Sequence, residues 1–143
     1  MIPLENGDRK MIMDCPVTFF DIQSTKAKQY GFSMILPGGT KLSCCGDEPY
    51  NPCEYEYVKD SDWLMHEAFC LYSEADRYKP YEKHHSTVRE ACELAERLGV
   101  ANLILYHTEE DHLKNRKELY TAEGKAYYHG NLYVPEDMEW FEI

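Results

Sequence analysis

Residues 86–107 read STVREACELAERLGVANLILYH, and the change of period inside this stretch decides the architecture. Val88, Ala91, Cys92, Leu94, Ala95 and Leu98 recur at helical spacing, with Ser86 as the expected N-cap, Arg89-Glu90 in the first turn and Gly99 as the stop. From Val100 to Tyr106 the apolar run is continuous, as in a strand buried on both faces, and it delivers His107 at its carboxyl end. A helix that feeds directly into such a strand is half of a strand-helix-strand unit. An α/β layer arrangement is therefore expected.

Working upstream, Asp62-Trp63-Leu64-Met65-His66-Glu67 reads as a short buried strand ending on a His-Glu pair. Before it, residues 48–60 are rich in Pro, Tyr and acids and read as loop. Lys41 to Cys45 is a strand that stops at Gly46-Asp47, joined to a preceding strand, Phe32 to Leu36, by the turn Pro37-Gly38-Gly39. Val17 to Ile22 is β-branched and aromatic enough for another strand, and Ser24 to Tyr30 is expected to form a short helical turn closed by Gly31. Residues 1–14 are assigned an edge strand or a frayed end. Downstream, Glu109 to Tyr120 has helical potential, and a strand pair is expected near residues 131–134 and 138–143.

Length and composition bound the function. A chain of 143 residues fits one domain spanning 1–143, able to bury roughly two-thirds of the surface it exposes unfolded. Twenty-six acidic against fifteen basic residues give a formal charge of −11, which repels a phosphate backbone, so no autonomous nucleic-acid binding is expected. No run approaches the roughly 20 apolar residues of a membrane span, and Met1 to Lys10 lacks the apolar stretch of a signal peptide; a cytoplasmic chain is expected. Cys15, Cys44, Cys45, Cys53, Cys70 and Cys92 form no C-x-x-C pair and are read as reduced, mostly buried thiols. A cysteine-based site at Cys44, Cys45 and Cys53 is disfavoured, because Asp47 and Glu48 oppose a thiolate.

Three strands end on metal- or proton-competent residues: Gly46-Asp47, His66-Glu67 and His107. Open α/β sheets bind ligands at the carboxyl ends of their strands, so the coincidence outweighs any single residue. Asp47 offers carboxylate oxygens and His107 an imidazole nitrogen, a donor set suited to zinc, manganese or iron. His84-His85-Ser86-Thr87 opens the helix, and a histidine there paired with Glu67 could act as a general acid. Taken singly, each has a blander reading. Asp47 could be a turn aspartate, His107 a satisfied strand-end histidine, and His66-Glu67 a buried hydrogen-bonded pair. Glu109-Glu110-Asp111 is read as a solvated helix face, and His112 and His129 as surface residues.

The ordered set changes that balance. Cys45-Gly46-Asp47, then residues 62–68, then His85-Ser86-Thr87 with Glu90-Ala91 and Ala95, then Leu103 to His107, resembles the second half of the ribonuclease Z branch of the metallo-β-lactamase superfamily, from about Val17 onward. The resemblance implies the C-terminal half of an αββα sandwich, a mixed sheet with flanking helices. It implies that Asp47 bridges two divalent ions, zinc first and manganese or iron as alternatives, and that His107 is the last histidine ligand. Glu67 and His85 match the pair that helps protonate the leaving group in a two-metal hydrolysis.

Two departures shape the expectation. The family's His-x-His-x-Asp-His motif lies upstream of the bridging aspartate, whereas the first histidine here is His66, so the metal site is expected to be incomplete and the chain inactive alone. A partner is therefore expected, either a complementary N-terminal half or a second copy. After His107 the family continues with a serine and an arginine-tyrosine pair. Here Thr108-Glu109-Glu110-Asp111-His112 stands instead, which disfavours a tRNA phosphate and leaves a small phosphodiester or another ester. The alternative is a degenerate, non-catalytic interaction or assembly module of the same fold.

Overall fold

Strands β1 (Arg9–Ile12), β2 (Cys15–Asp21), β3 (Tyr30–Ile35) and β4 (Lys41–Cys44) pair antiparallel in chain order. From β4 onward the pairing turns parallel, through β5 (Trp63–Glu67), β6 (Asn102–Tyr106) and β7 (Asn131–Tyr133). The result is one mixed seven-stranded sheet ordered as the sequence is. This computed structural model describes residues 3–140, 142 and 143.

Parallel neighbours need crossovers, and helices supply them. α1 (Tyr55–Val58) lies between β4 and β5, α2 (Ala75–Tyr78) and α3 (Val88–Leu98) between β5 and β6, and α4 (Arg116–Gly124) between β6 and β7. α3 buries Val88, Ala91, Cys92, Leu94 and Ala95 against the sheet and ends at Gly99, whose φ of 68° suits a residue without Cβ. On the sheet side the core takes Phe20, Leu64, Leu103 and Leu105. Phe20 stacks on Tyr57 with ring centroids 4.9 Å apart.

The opposite face carries a different row. Registers Phe19↔Phe32, Phe32↔Cys44, Cys44↔Met65 and Met65↔Ile104 place these five residues side by side across five strands. None of them belongs to the helix-packed core. Because successive strand residues point to opposite faces, this row lies on the side of the sheet away from α3.

Several local expectations are corrected. Thr87, not Ser86, is the N-cap of α3: Glu90 accepts its N–H at 2.8 Å and its hydroxyl at 2.9 Å, while Ser86 is claimed by Glu67. Residues 25–27 form a bend, because the Ser24 hydroxyl oxygen accepts the N–H groups of Lys26 and Ala27 and so competes with a helix, and Tyr30 and Gly31 join β3. Residues 48–60 are not all loop: Asn51 caps a 3₁₀ turn, Pro52–Glu54, that leads into α1. Glu109 is no solvated helix residue. It is 5% exposed, accepts the N–H of Asp111 and the Tyr120 hydroxyl, and α4 starts only at Arg116. β7 forms, but the described residues of 138–143 hold no strand.

Candidate metal centre

Asp47, Glu67 and His107 follow or end β4, β5 and β6, three adjacent parallel strands, so their carboxyl ends gather at one edge of the sheet. His85 comes from the β5–α3 connection, held there by Phe69 N–H to Ser86 O at 2.9 Å and His85 N–H to Pro80 O at 2.9 Å. Gly46, at φ 79°, makes the turn that presents Asp47, and a Cβ there would meet Ile22 at 2.9 Å. The Tyr106 hydroxyl donates to the Gly46 carbonyl, tying β6 to the Asp47 loop.

The ligand atoms of Asp47, His85 and His107 all lie within 4.8 Å of one another. Asp47 Oδ1 stands 3.1 Å from His107 Nε2, yet this buried oxygen has no hydrogen-bond partner among the described residues. A carboxylate oxygen and imidazole nitrogens converging without hydrogen-bonding one another fit a borderline divalent cation such as zinc. Asp47 and His107 as donors leave coordination positions open, and His85 stands beside them.

The second pair is Glu67 and His85. Glu67 Oε2 lies 3.6 Å from His85 Nδ1, and neither atom has a hydrogen-bond partner among the described residues. The other oxygen, Oε1, accepts both the backbone N–H and the hydroxyl of Ser86. Burial drives the Glu67 carboxyl up to about 7; the Ser86 hydrogen bonds oppose this, and the Asp47 charge adds to it. Burial lowers the His85 value, with Lys26 and His107 acting in the same direction and Asp47 and Glu48 against it.

The His85 ring is fixed from both sides. Phe69 stacks on it at 5.1 Å and 23°, and the His107 ring lies 4.9 Å away. Lys26 Nζ stands 3.5 Å from His85 Nε2. The ammonium can only donate, which leaves Nε2 as acceptor and the proton on Nδ1, facing Glu67.

All four residues singled out in the sequence are thus brought together: Asp47, Glu67, His85 and His107. Lys26, Phe69 and Ser86 also serve the site, and the linear pattern did not point to them in those roles. His66 turns away, toward α3, with Nδ1 2.6 Å from the Glu67 carbonyl; burial lowers its pKa to about 4. His112 pairs with Glu74 and His129 with Glu96, both away from the centre. Cys44, Cys45 and Cys53 are free, and burial raises the Cys45 and Cys53 thiols, which removes the case for a thiolate site.

No family model matches the chain. Solved structures do: the metallo-β-lactamase-fold protein YhfI from Bacillus subtilis superposes with a TM-score of 0.74 at 17% identity, over 94% of this chain and 52% of that one. The short form of human tRNase Z does so with a TM-score of 0.64 at 21% identity, over 87% of this chain and 42% of that one. Fold and site therefore define a chain with part of the metallo-β-lactamase fold, an α/β sandwich architecture.

Its sequence relatives are more particular. Ribonuclease Z of Myxococcus xanthus is 31% identical over 122 residues, covering 85% of this chain and 38% of that protein. Ribonuclease Z of Shouchella clausii is 34% identical over 105 residues, covering 73% and 32%. In sequence the chain is similar to ribonuclease Z, and it spans between about a third and two-fifths of the length of these two relatives.

Proposed function

We propose that this chain is the C-terminal part of a metal-dependent phosphodiesterase, in which Asp47 and His107 hold divalent metal and Glu67 and His85 manage the leaving-group proton. The convergence of Asp47, His85 and His107 within 4.8 Å carries the reading. Zinc fits the donor set best, and Asp47, with two carboxylate oxygens, can serve two ions. Bound there, such ions supply Lewis acidity to the ester oxygens.

The chain's own residues would do the rest. His85 Nδ1 faces the Glu67 carboxyl, whose pKa near neutrality suits it to hold or release a proton. Phe69 fixes the ring plane, and with Glu67 keeping the Nδ1 hydrogen, a ring that has taken a second proton on Nε2 would pass that proton to the leaving oxygen in place of its contact with Lys26. Ser86 keeps the Glu67 carboxyl from rotating. The acids after His107 favour a small phosphodiester or another ester over a polyanion.

The further histidine ligands would come from a partner lying on the apolar row Phe19, Phe32, Cys44, Met65 and Ile104. A complementary N-terminal half fits the coverage of the relatives, and a second copy is the other candidate. The same row also favours the non-catalytic reading, an assembly module. Six free cysteines suit the cytoplasm, where thiols stay reduced. No helix among the described residues is long and apolar enough to cross a membrane.

The deciding experiment titrates zinc into the chain, alone and co-expressed with a fragment carrying a His-x-His-x-Asp-His segment, and assays bis(p-nitrophenyl) phosphate hydrolysis. Zinc binding by the wild type, hydrolysis only in the complex, and loss of both in Asp47→Ala support the proposal. Zinc binding that survives Asp47→Ala, or hydrolysis by the chain alone, overturns it.

A further inference from the structure

A cavity of about 260 Å³ opens beside His85, between α3 and the Pro49-Tyr50 segment. Tyr50, Tyr81 and Leu94 give it apolar walls, and His66 and His85 both line it. His66 is 1% exposed, and its Nε2 has no hydrogen-bond partner among the described residues. Its Nδ1 lies 2.6 Å from the Glu67 carbonyl, which can only accept, so Nδ1 carries the hydrogen and Nε2 presents a bare lone pair. The cavity thus combines aromatic walls and the charged side chains of Glu90, Glu93 and Arg97 with a buried acceptor on His66 that has no partner among the described residues.

We propose that this cavity is the leaving-group subsite, and that it takes a neutral heteroaromatic ring whose N–H donates to His66 Nε2. The position supports the assignment, because His85 is shared by the cavity and the metal centre. An ester cleaved at that centre, with its proton arriving from His85, can place its departing group directly into the cavity. The chemistry supports it as well. A flat ring is matched by Tyr50 and Tyr81, and a group without a donor would leave Nε2 desolvated and unpaired. His66 is then a specificity-determining residue, which neither binds metal nor moves the reacting proton. The leaving-group assignment rests on the hydrolase reading above, whereas the recognition chemistry of the cavity does not.

The test uses two probes that differ by one donor, indole and 1-methylindole, titrated into the metal-free chain above neutral pH. The readouts are the ¹⁵N shift of His66 and the methyl shifts of Leu94. Indole should move both signals and bind about tenfold more tightly than 1-methylindole, the cost of an unpaired buried acceptor. Leu94→Trp, which fills the cavity, should abolish binding. His66→Phe, which keeps the ring but loses the lone pair, should make the two probes equal. Asp47→Ala should leave indole binding unchanged while losing zinc, so failure of the cavity and failure of the metal centre are separable. Equal binding of the two probes by the wild type, binding that leaves the His66 shift unmoved, or no binding up to the solubility limit overturns the proposal.

Discussion

Oδ1 of Asp47 stands 3.1 Å from Nε2 of His107 and accepts no hydrogen bond from it, an arrangement that suits two ligands of one cation better than an ion pair. The two side chains are 46% and 42% exposed, so neither supports the core. Asp47→Ala and His107→Ala should each weaken zinc binding by more than about a hundredfold, since even partners outside the ligand shell are worth about 10–100-fold. Their unfolding free energies in the metal-free state should stay within about 0.5 kcal/mol of wild type, as for other surface changes. Calorimetric titration and chemical denaturation read the two effects separately. A large loss of stability with metal affinity intact would assign the pair a structural role.

Ser86 gives Glu67 two hydrogen bonds inside a dry environment. Ser86→Ala removes the hydroxyl and should cost about 1–3 kcal/mol of stability. Because these bonds hold the Glu67 carboxyl down against burial, its pKa should rise further above about 7. Carbon-13 titration of the Glu67 carboxyl in the metal-free chain checks the direction, and an unchanged value refutes the account.

Glu54 is fully buried, with Oε1 accepting the Asn51 N–H and Oε2 unpartnered, and burial raises its pKa from 4.5 to about 7. The folded chain therefore holds this proton more tightly than the unfolded one. The stabilisation is complete below pH 4.5 and is lost as pH rises through about 7. Glu54→Gln keeps an acceptor for Asn51 and cannot ionise. Relative to wild type it should gain up to about 3 kcal/mol above neutral pH and nothing near pH 4. Urea midpoints across that range decide it.

His66 behaves in the opposite sense. Burial lowers its pKa from 6.5 to about 4, so its contribution is complete above pH 6.5 and is lost as pH falls through about 4. In His66→Phe the difference in stability between neutral pH and pH 4 should shrink by up to about 3 kcal/mol. An acid transition that is identical in the two proteins refutes this.

Phe32 lies in the apolar row on the face away from α3, between Phe19 and Cys44. Phe32→Glu should prevent association with a second copy or with a complementary fragment, because a charge buried at such an interface is costly. It should leave the circular dichroism spectrum of the chain unchanged. Light scattering of wild type and variant, alone and with the fragment, reads the outcome; association that tolerates the substituted carboxylate would place the contact elsewhere.

Much of the scaffold was legible because it rests on period. The apolar spacing from Val88 to Leu98 and the run from Val100 to Tyr106 became α3 and β6 within two residues. Asp47, Glu67 and His107 were legible because strand ends recur at one edge of a parallel sheet. The misses share a cause: a polar group chose a distant partner over a local one. Ser86 serves Glu67, 19 residues away, instead of capping the helix. Glu109 is buried by contact with Phe69 and Tyr120, although its neighbours Glu110 and Asp111 suggest a solvated face.

The sequence by itself determined the main strands, the helix from Val88 to Leu98 and the four candidate residues near the strand ends, because periodicity and residue chemistry are local properties. Only the tertiary structure decided that His85 comes within 3.6 Å of Glu67 and 3.5 Å of Lys26, and that His66 faces a cavity. Those relations depend on how β4, β5 and β6 align and how α3 returns across them, with segments far apart in the chain brought to contact by burial of a shared core.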